Sequence, residues 1–177
     1  MSQRSLYRTP STITVLGLCG LFVAAWVSCP YDSKIPLGDV ATTDVDPALL
    51  GQWTSYMDDT PSEYTVRRLN EHEIYVEAQE YDENGRPEED FGRMRAHRTS
   101  IDGVQFLSIK LLDEKPESGW LIARYDLVDN GKILRVCTIS DEFVDKEFKT
   151  QADLVDYVRK NMKEKGFFEP PMIFSKK

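Results

Sequence analysis

No Asp or Glu precedes Asp32, although the whole chain carries 30 acidic residues against 22 Lys and Arg and a net charge of -8. That acidic excess excludes nucleic acid as the main partner, because phosphate binding needs a surplus of Lys and Arg. Cysteine is scarce, three in 177 residues, and there are two histidines. Such a supply excludes a disulfide scaffold and leaves no Cys- or His-rich zinc site to assemble. His72 and His97 lack a metal-ligand spacing and are expected on the surface. No apolar run reaches the roughly 20 residues that a membrane-spanning helix needs. Gly-x-Ser-x-Gly, phosphate-loop and His-Glu-x-x-His motifs are all missing. The acidic segment from Asp82 to Asp90 lacks the ligand spacing of a calcium loop. With no convergent catalytic set, no cofactor and no metal indicated, the expectation is a protein that is not an enzyme.

What is present is a globular composition, 41% hydrophobic and 11% aromatic, at a length that suits one domain. The acid-free N-terminus has Arg4 and Arg8 ahead of an apolar run from Ile13 to Val27. A basic region followed by such a run is a secretory signal pattern, expected over residues 1–28. The alternative is an uncleaved anchor. Removing residues 1–28 takes the net charge from -8 to -10, because two arginines leave and no acid does.

Residues 29–46 include Pro30, Pro36 and Gly38, several Asp and no apolar periodicity, and are expected as a flexible tether. Asp46-Pro47 reads as an N-cap and first position of a short helical turn. Strands follow at short, regular spacing: 51–57, 63–69, 73–81, 91–99, 104–112, 120–128 and 132–140. Their period-two alternation is the signal of half-buried strands. Asn84-Gly85, Asp102-Gly103 and Asn130-Gly131 supply the turns. Thr150, three residues before Asp153, opens a helix whose Leu154, Tyr157, Val158 and Met162 share one face. That face is expected on the outside of the strand layer. Residues 171–175 are expected to add one late strand at the sheet edge.

The fold class is therefore mainly β, an antiparallel up-and-down barrel of about eight strands over residues 47–177, with a C-terminal helix. Closure removes the exposed sheet edges. Ile74, Val76, Met94, Ala96, Leu107, Ile109, Leu121, Tyr125 and Leu134, with Ala123 and Val136, are the candidates to line its interior and a small apolar or amphipathic ligand. The competing expectation is a barrel filled by its own side chains, acting as an envelope interaction protein through its outer surface. Cys137 sits in the last of the regular strands, where it reads as a small hydrophobe. Arg67, Arg68, Arg93, Arg95 and Arg98 are candidates for a basic stripe on one wall.

Two resemblances add to this reading. Ser28-Cys29 at the end of the apolar run resembles the lipobox of bacterial lipoproteins. The resemblance implies a diacylglyceryl group on the Cys29 thiol, cleavage before it, and acylation, palmitate for example, of the new amino group. Cutting after Ala25 instead leaves Cys29 an ordinary thiol. Pro30 and Tyr31, in place of an Asp after the cysteine, point to the periplasmic face of the outer membrane in the cell envelope rather than the inner membrane. Gly51-Gln52-Trp53 at the start of the first barrel strand, with the strands and helix after it, resembles the lipocalin (calycin) family. That resemblance implies that Trp53 closes one end of the barrel.

Overall fold

The computed structural model describes residues 30–57, 60–82, 85–87, 92–112 and 118–177. Cys29 and the segment before it lie outside the described residues, as do parts of the loops after residues 57, 82, 87 and 112.

The strands are β1 (Asp32–Ser33), β2 (Gly51–Met57), β3 (Thr60–Arg68), β4 (Glu73–Glu80), β5 (Gly92–Ile101), β6 (Val104–Leu111), β7 (Trp120–Val128), β8 (Ile133–Thr138) and β9 (Met172–Lys176), with one helix, α1 (Gln151–Asn161), before the last. Each strand from β2 to β8 pairs antiparallel with the next, as the alternating pattern requires. The ring closes through β9, which lies between β8 and β2. Among the described residues the result is a closed antiparallel barrel of 8 strands with one short strand outside the ring and one α-helix, mostly β. The late strand is therefore not at an edge. An edge position would have left backbone groups of β2 and β8 unpaired, and β9 satisfies both neighbours at once.

The hairpins follow the turn chemistry of the sequence. Asp102 (φ 50°) takes the left-handed conformation in the two-residue loop between Ile101 and Val104, and Asp129 (φ 51°) and Asn130 (φ 54°) take it in the four-residue loop between Val128 and Ile133. In α1, Thr150 accepts from the Asp153 backbone N–H at 3.2 Å and its hydroxyl donates to the Asp153 carboxylate at 2.7 Å, which caps the first turn.

Alternation produces two cores. The inward side chains form one, including Trp53, Val66, Ile74, Ala96, Leu107, Tyr125, Leu134 and Phe174. The outward side chains of β5, β6 and β7, including Ile101, Phe106 and Ile122, form the other with Leu154, Val158 and Met162 of α1. The helix thus docks on the outside of the barrel through its apolar face.

Residues 30–46 do not hang free as a tether would. Pro30 bridges Ser140, and β1 pairs with the first residues of β7. Leu37 is fully buried in the outer core. The segment then runs to the barrel base, where the Val45 N–H donates to the Glu71 carbonyl. Composition alone could not show this, since the apolar contacts come from a few scattered residues, Tyr31, Ile35, Leu37 and Val45, and side chains far along the chain supply the hydrogen bonds.

Candidate functional site

The barrel interior has a base, a packed middle and a mouth. At the base, a 3-10 turn over Pro47–Leu49 lies beneath Trp53, which is 1% exposed. The Trp53 indole N–H donates to the Leu49 carbonyl at 2.8 Å. Lys176, the cross-strand partner of Trp53, places its ammonium 5.0 Å from the indole centroid and donates to the Ala48 carbonyl at 2.9 Å. Trp53 is held from both sides, by the Leu49 carbonyl and by the Lys176 ammonium.

Asp46 caps the same turn by accepting from the Ala48 N–H at 3.0 Å, and it accepts from the Tyr125 hydroxyl at 3.3 Å. Burial, then the Asp46 charge, pushes the Tyr125 phenol up to about 12, against the opposing pull of Arg98. Asp46, Arg98 and Tyr125 form a polar knot in the base. Sequence reading placed Tyr125 in the lining but missed this cluster, whose members are far apart along the chain. Arg98 leaves the expected basic stripe for the same reason of alternation: it points inward with Ala96, whereas Arg95 pairs with Glu73 outside at 3.3 Å and Arg67 with Glu77 at 3.4 Å.

Above the base, the interior candidates Ile74, Ala96, Leu107, Ala123, Tyr125, Leu134 and Val136 are buried in one cluster. Tyr64 stands edge-on to Phe174 at 5.0 Å within it. The remaining candidates, Val76, Met94, Ile109 and Leu121, are half-buried, as are Leu111 and Met172. Register brings these together: Val76 faces Met94, Met94 faces Leu111, and Ile109 faces Leu121. Directly opposed residues of a ladder share one face. The upper barrel is consequently lined by apolar side chains that keep part of their surface in contact with solvent.

Two cavities lie outside the barrel. One, of about 980 Å³, has Arg124, Asp126, Arg135 and Cys137 of β7 and β8 on one side and Met162, Phe168 and Pro171 among the residues on the other. Asp126 lies 3.7 Å from the Arg135 guanidinium and 4.0 Å from that of Arg124, which rests 4.7 Å above the Phe168 ring. Cys137 is buried at this wall, as a small hydrophobe should be. A second cavity, of about 450 Å³, lies beside α1 among Lys146, Phe148, Tyr157 and Lys160.

His97 was expected on the surface because it shares a polar strand face with Arg93 and Arg95. It is 1% exposed, because residues 37–38 cross over it and Trp120 stands edge-on to its ring at 5.4 Å. His72 lies in the β3–β4 turn, 3.4 Å from Asp44. Among the described residues, no group of three or more His, Cys, Asp or Glu is placed to hold a metal ion, and no helix is long and apolar enough to cross a membrane.

The sequence matches no protein-family model and no curated protein. Among solved structures it is similar to a de novo designed fluorescence-activating β-barrel, with 13% identity and a TM-score of 0.40 over 77% of this chain and 100% of that one. The functional reading rests on the residues themselves.

Proposed function

We propose that the protein is a membrane-anchored lipoprotein of the cell envelope whose lipocalin-like barrel takes a small apolar or amphipathic ligand into its upper half. The observation that carries this reading is the layer of half-buried apolar side chains, Val76, Met94, Ile109 and Leu121, above a sealed base. Apolar surface left partly in water at a concave mouth gains free energy when a ligand covers it, at about 25 cal/mol per Å². A barrel of this strand number is wide enough for one small ligand. The anchor follows from Cys29 after the apolar run, and two or more acyl chains would hold the domain stably at the periplasmic face of the outer membrane.

Titration of the purified chain with a fluorescent fatty-acid analogue tests the ligand reading. Saturable uptake that Ile109→Trp abolishes, with the fold intact, supports it; no saturable uptake removes it. Loss of fatty-acid labelling in Cys29→Ser supports the anchor, and labelling that persists removes it.

A second reading, an envelope interaction protein acting through its outer surface, is favoured by the 980 Å³ cavity on the outside of the barrel. Arg135→Glu distinguishes the two: it disturbs an outer-surface partner and leaves ligand uptake unchanged.

A further inference from the structure

Residues 31–42 cross the outer faces of β5, β6 and β7, and the centre of the crossing is held by remote side chains. The Leu37 N–H donates to the Ser108 hydroxyl at 2.9 Å, and the Leu37 carbonyl accepts from the Thr99 hydroxyl. The Gly38 carbonyl accepts from Gln151 of α1 at 2.9 Å and meets His97 Nε2 at 3.3 Å. One peptide segment thereby ties the sheet to the helix.

A carbonyl oxygen can only accept, so His97 Nε2 carries the hydrogen. The neutral ring then leaves Nδ1 without a hydrogen, and Nδ1 is buried with no hydrogen-bond partner among the described residues. A proton arriving there finds no acceptor. The groups around the ring do not remedy this. Glu73, opposite on β4, is the nearest carboxylate by register, but one of its oxygens accepts from Asn70 at 2.8 Å and the other from Arg95 at 3.3 Å. Arg95 on the same strand adds positive charge. Asp39 of the crossing segment caps Ala41 at 3.2 Å. Ser108 on β6 is committed to Leu37, Gln151 of α1 is uncharged, and Trp120 of β7 offers a ring edge.

We propose that residues 31–42 form a strap that mild acid releases, with His97 as the group whose protonation frees it. Charging a buried imidazole that lacks a second acceptor is costly, and the cost disappears once the strap lifts and water reaches the ring. Burial, the largest influence on His97, holds it below its ordinary value of 6.5. The strapped state therefore binds the proton less readily than the released one. Its stability is complete above 6.5 and declines as the pH falls from there toward the lower midpoint of the strapped state. Release turns residues 31–42 into an open spacer that extends up to about 40 Å, and it uncovers the outer face that Leu37 occupies. This inference is independent of what the barrel binds.

Hydrogen exchange of the strap amides, corrected for intrinsic rates and followed from about pH 7.5 to about pH 5, tests it. Protection of the Leu37 region should fall by up to about tenfold per pH unit below 6.5. His97→Gln, which keeps an amide donor but does not titrate, should remove that pH dependence. His72→Gln should leave it unchanged, since His72 is the other histidine in the chain. If His97→Gln does not fold, the wild-type ring and strap resonances in NMR serve instead and should titrate with one shared midpoint. Protection that stays level across this range, a response that survives in His97→Gln, one that His72→Gln removes, or separate ring and strap midpoints would each overturn the proposal.

Discussion

The Trp53 indole N–H and the Leu49 carbonyl meet at 2.8 Å, so the buried indole at the start of β2 is bonded to the turn lying under it. Both are buried, at 1% and 3% exposure. Replacing Trp53 removes an aromatic plug and also leaves a buried carbonyl without a donor. Trp53→Ala should lower unfolding free energy by about 3–5 kcal/mol. Trp53→Phe keeps most of the apolar area and should lose about 1–3 kcal/mol, mainly from the orphaned carbonyl. Urea denaturation of the two variants measures the difference; equal losses would show that the aromatic bulk kept by Phe contributes nothing, and an unchanged Trp53→Phe would show that the hydrogen bond contributes nothing.

The packed middle and the mouth should respond differently to truncation. Leu107→Ala and Leu134→Ala remove fully enclosed side chains, and each should cost about 2–5 kcal/mol. Met94→Ala and Ile109→Ala remove side chains already half in solvent, and each should cost less than about 1.5 kcal/mol. Equal costs in both layers would mean that the upper barrel is as tightly filled as the lower.

Most of the barrel was legible because its strands alternate: Glu73 to Glu80 and Trp120 to Val128 show their two faces in the letters alone. The helix was legible from its cap at Thr150 and its single apolar stripe. Two parts were not. β9 is short and follows Pro170-Pro171, so it gave no sign that it would enter the ring between β2 and β8. The strap around Leu37 carries almost no apolar signal, and its partners Ser108, Thr99 and Gln151 lie 71, 62 and 113 residues away. The same long-range crossing hid His97. Within the site, the inward strand positions followed from alternation, but the Asp46–Tyr125–Arg98 knot joins an N-cap to two of them that no local pattern connects.

Tyr125 should govern part of the alkaline limb of stability. Its folded-state value is raised from 10.0 to about 12, so the folded barrel holds the phenol proton more tightly than the unfolded chain does. The associated stability is fully present below pH 10 and is lost as the pH rises from 10 toward 12. Tyr125→Phe should flatten that limb while losing the hydrogen bond to Asp46. Denaturation at a series of alkaline pH values checks this; a limb of the same steepness in Tyr125→Phe would assign it to other groups.

Gly38 is the position where the strap tolerates least. Its φ is +80°, a conformation that L side chains rarely adopt, and an added Cβ would stand 2.7 Å from the Thr99 hydroxyl oxygen. Thr99 cannot readily turn aside, because its hydroxyl donates to the Leu37 carbonyl. Gly38→Ala should therefore cost more than the roughly 1 kcal/mol of an ordinary left-handed glycine replacement, and the cost should fall on the strap. Exchange of the residue 31–42 amides should rise at neutral pH while the amides of β2 and β9, on the far side of the ring, stay protected. Uniform loosening of the whole barrel would instead show that the strap and the ring unfold as one unit.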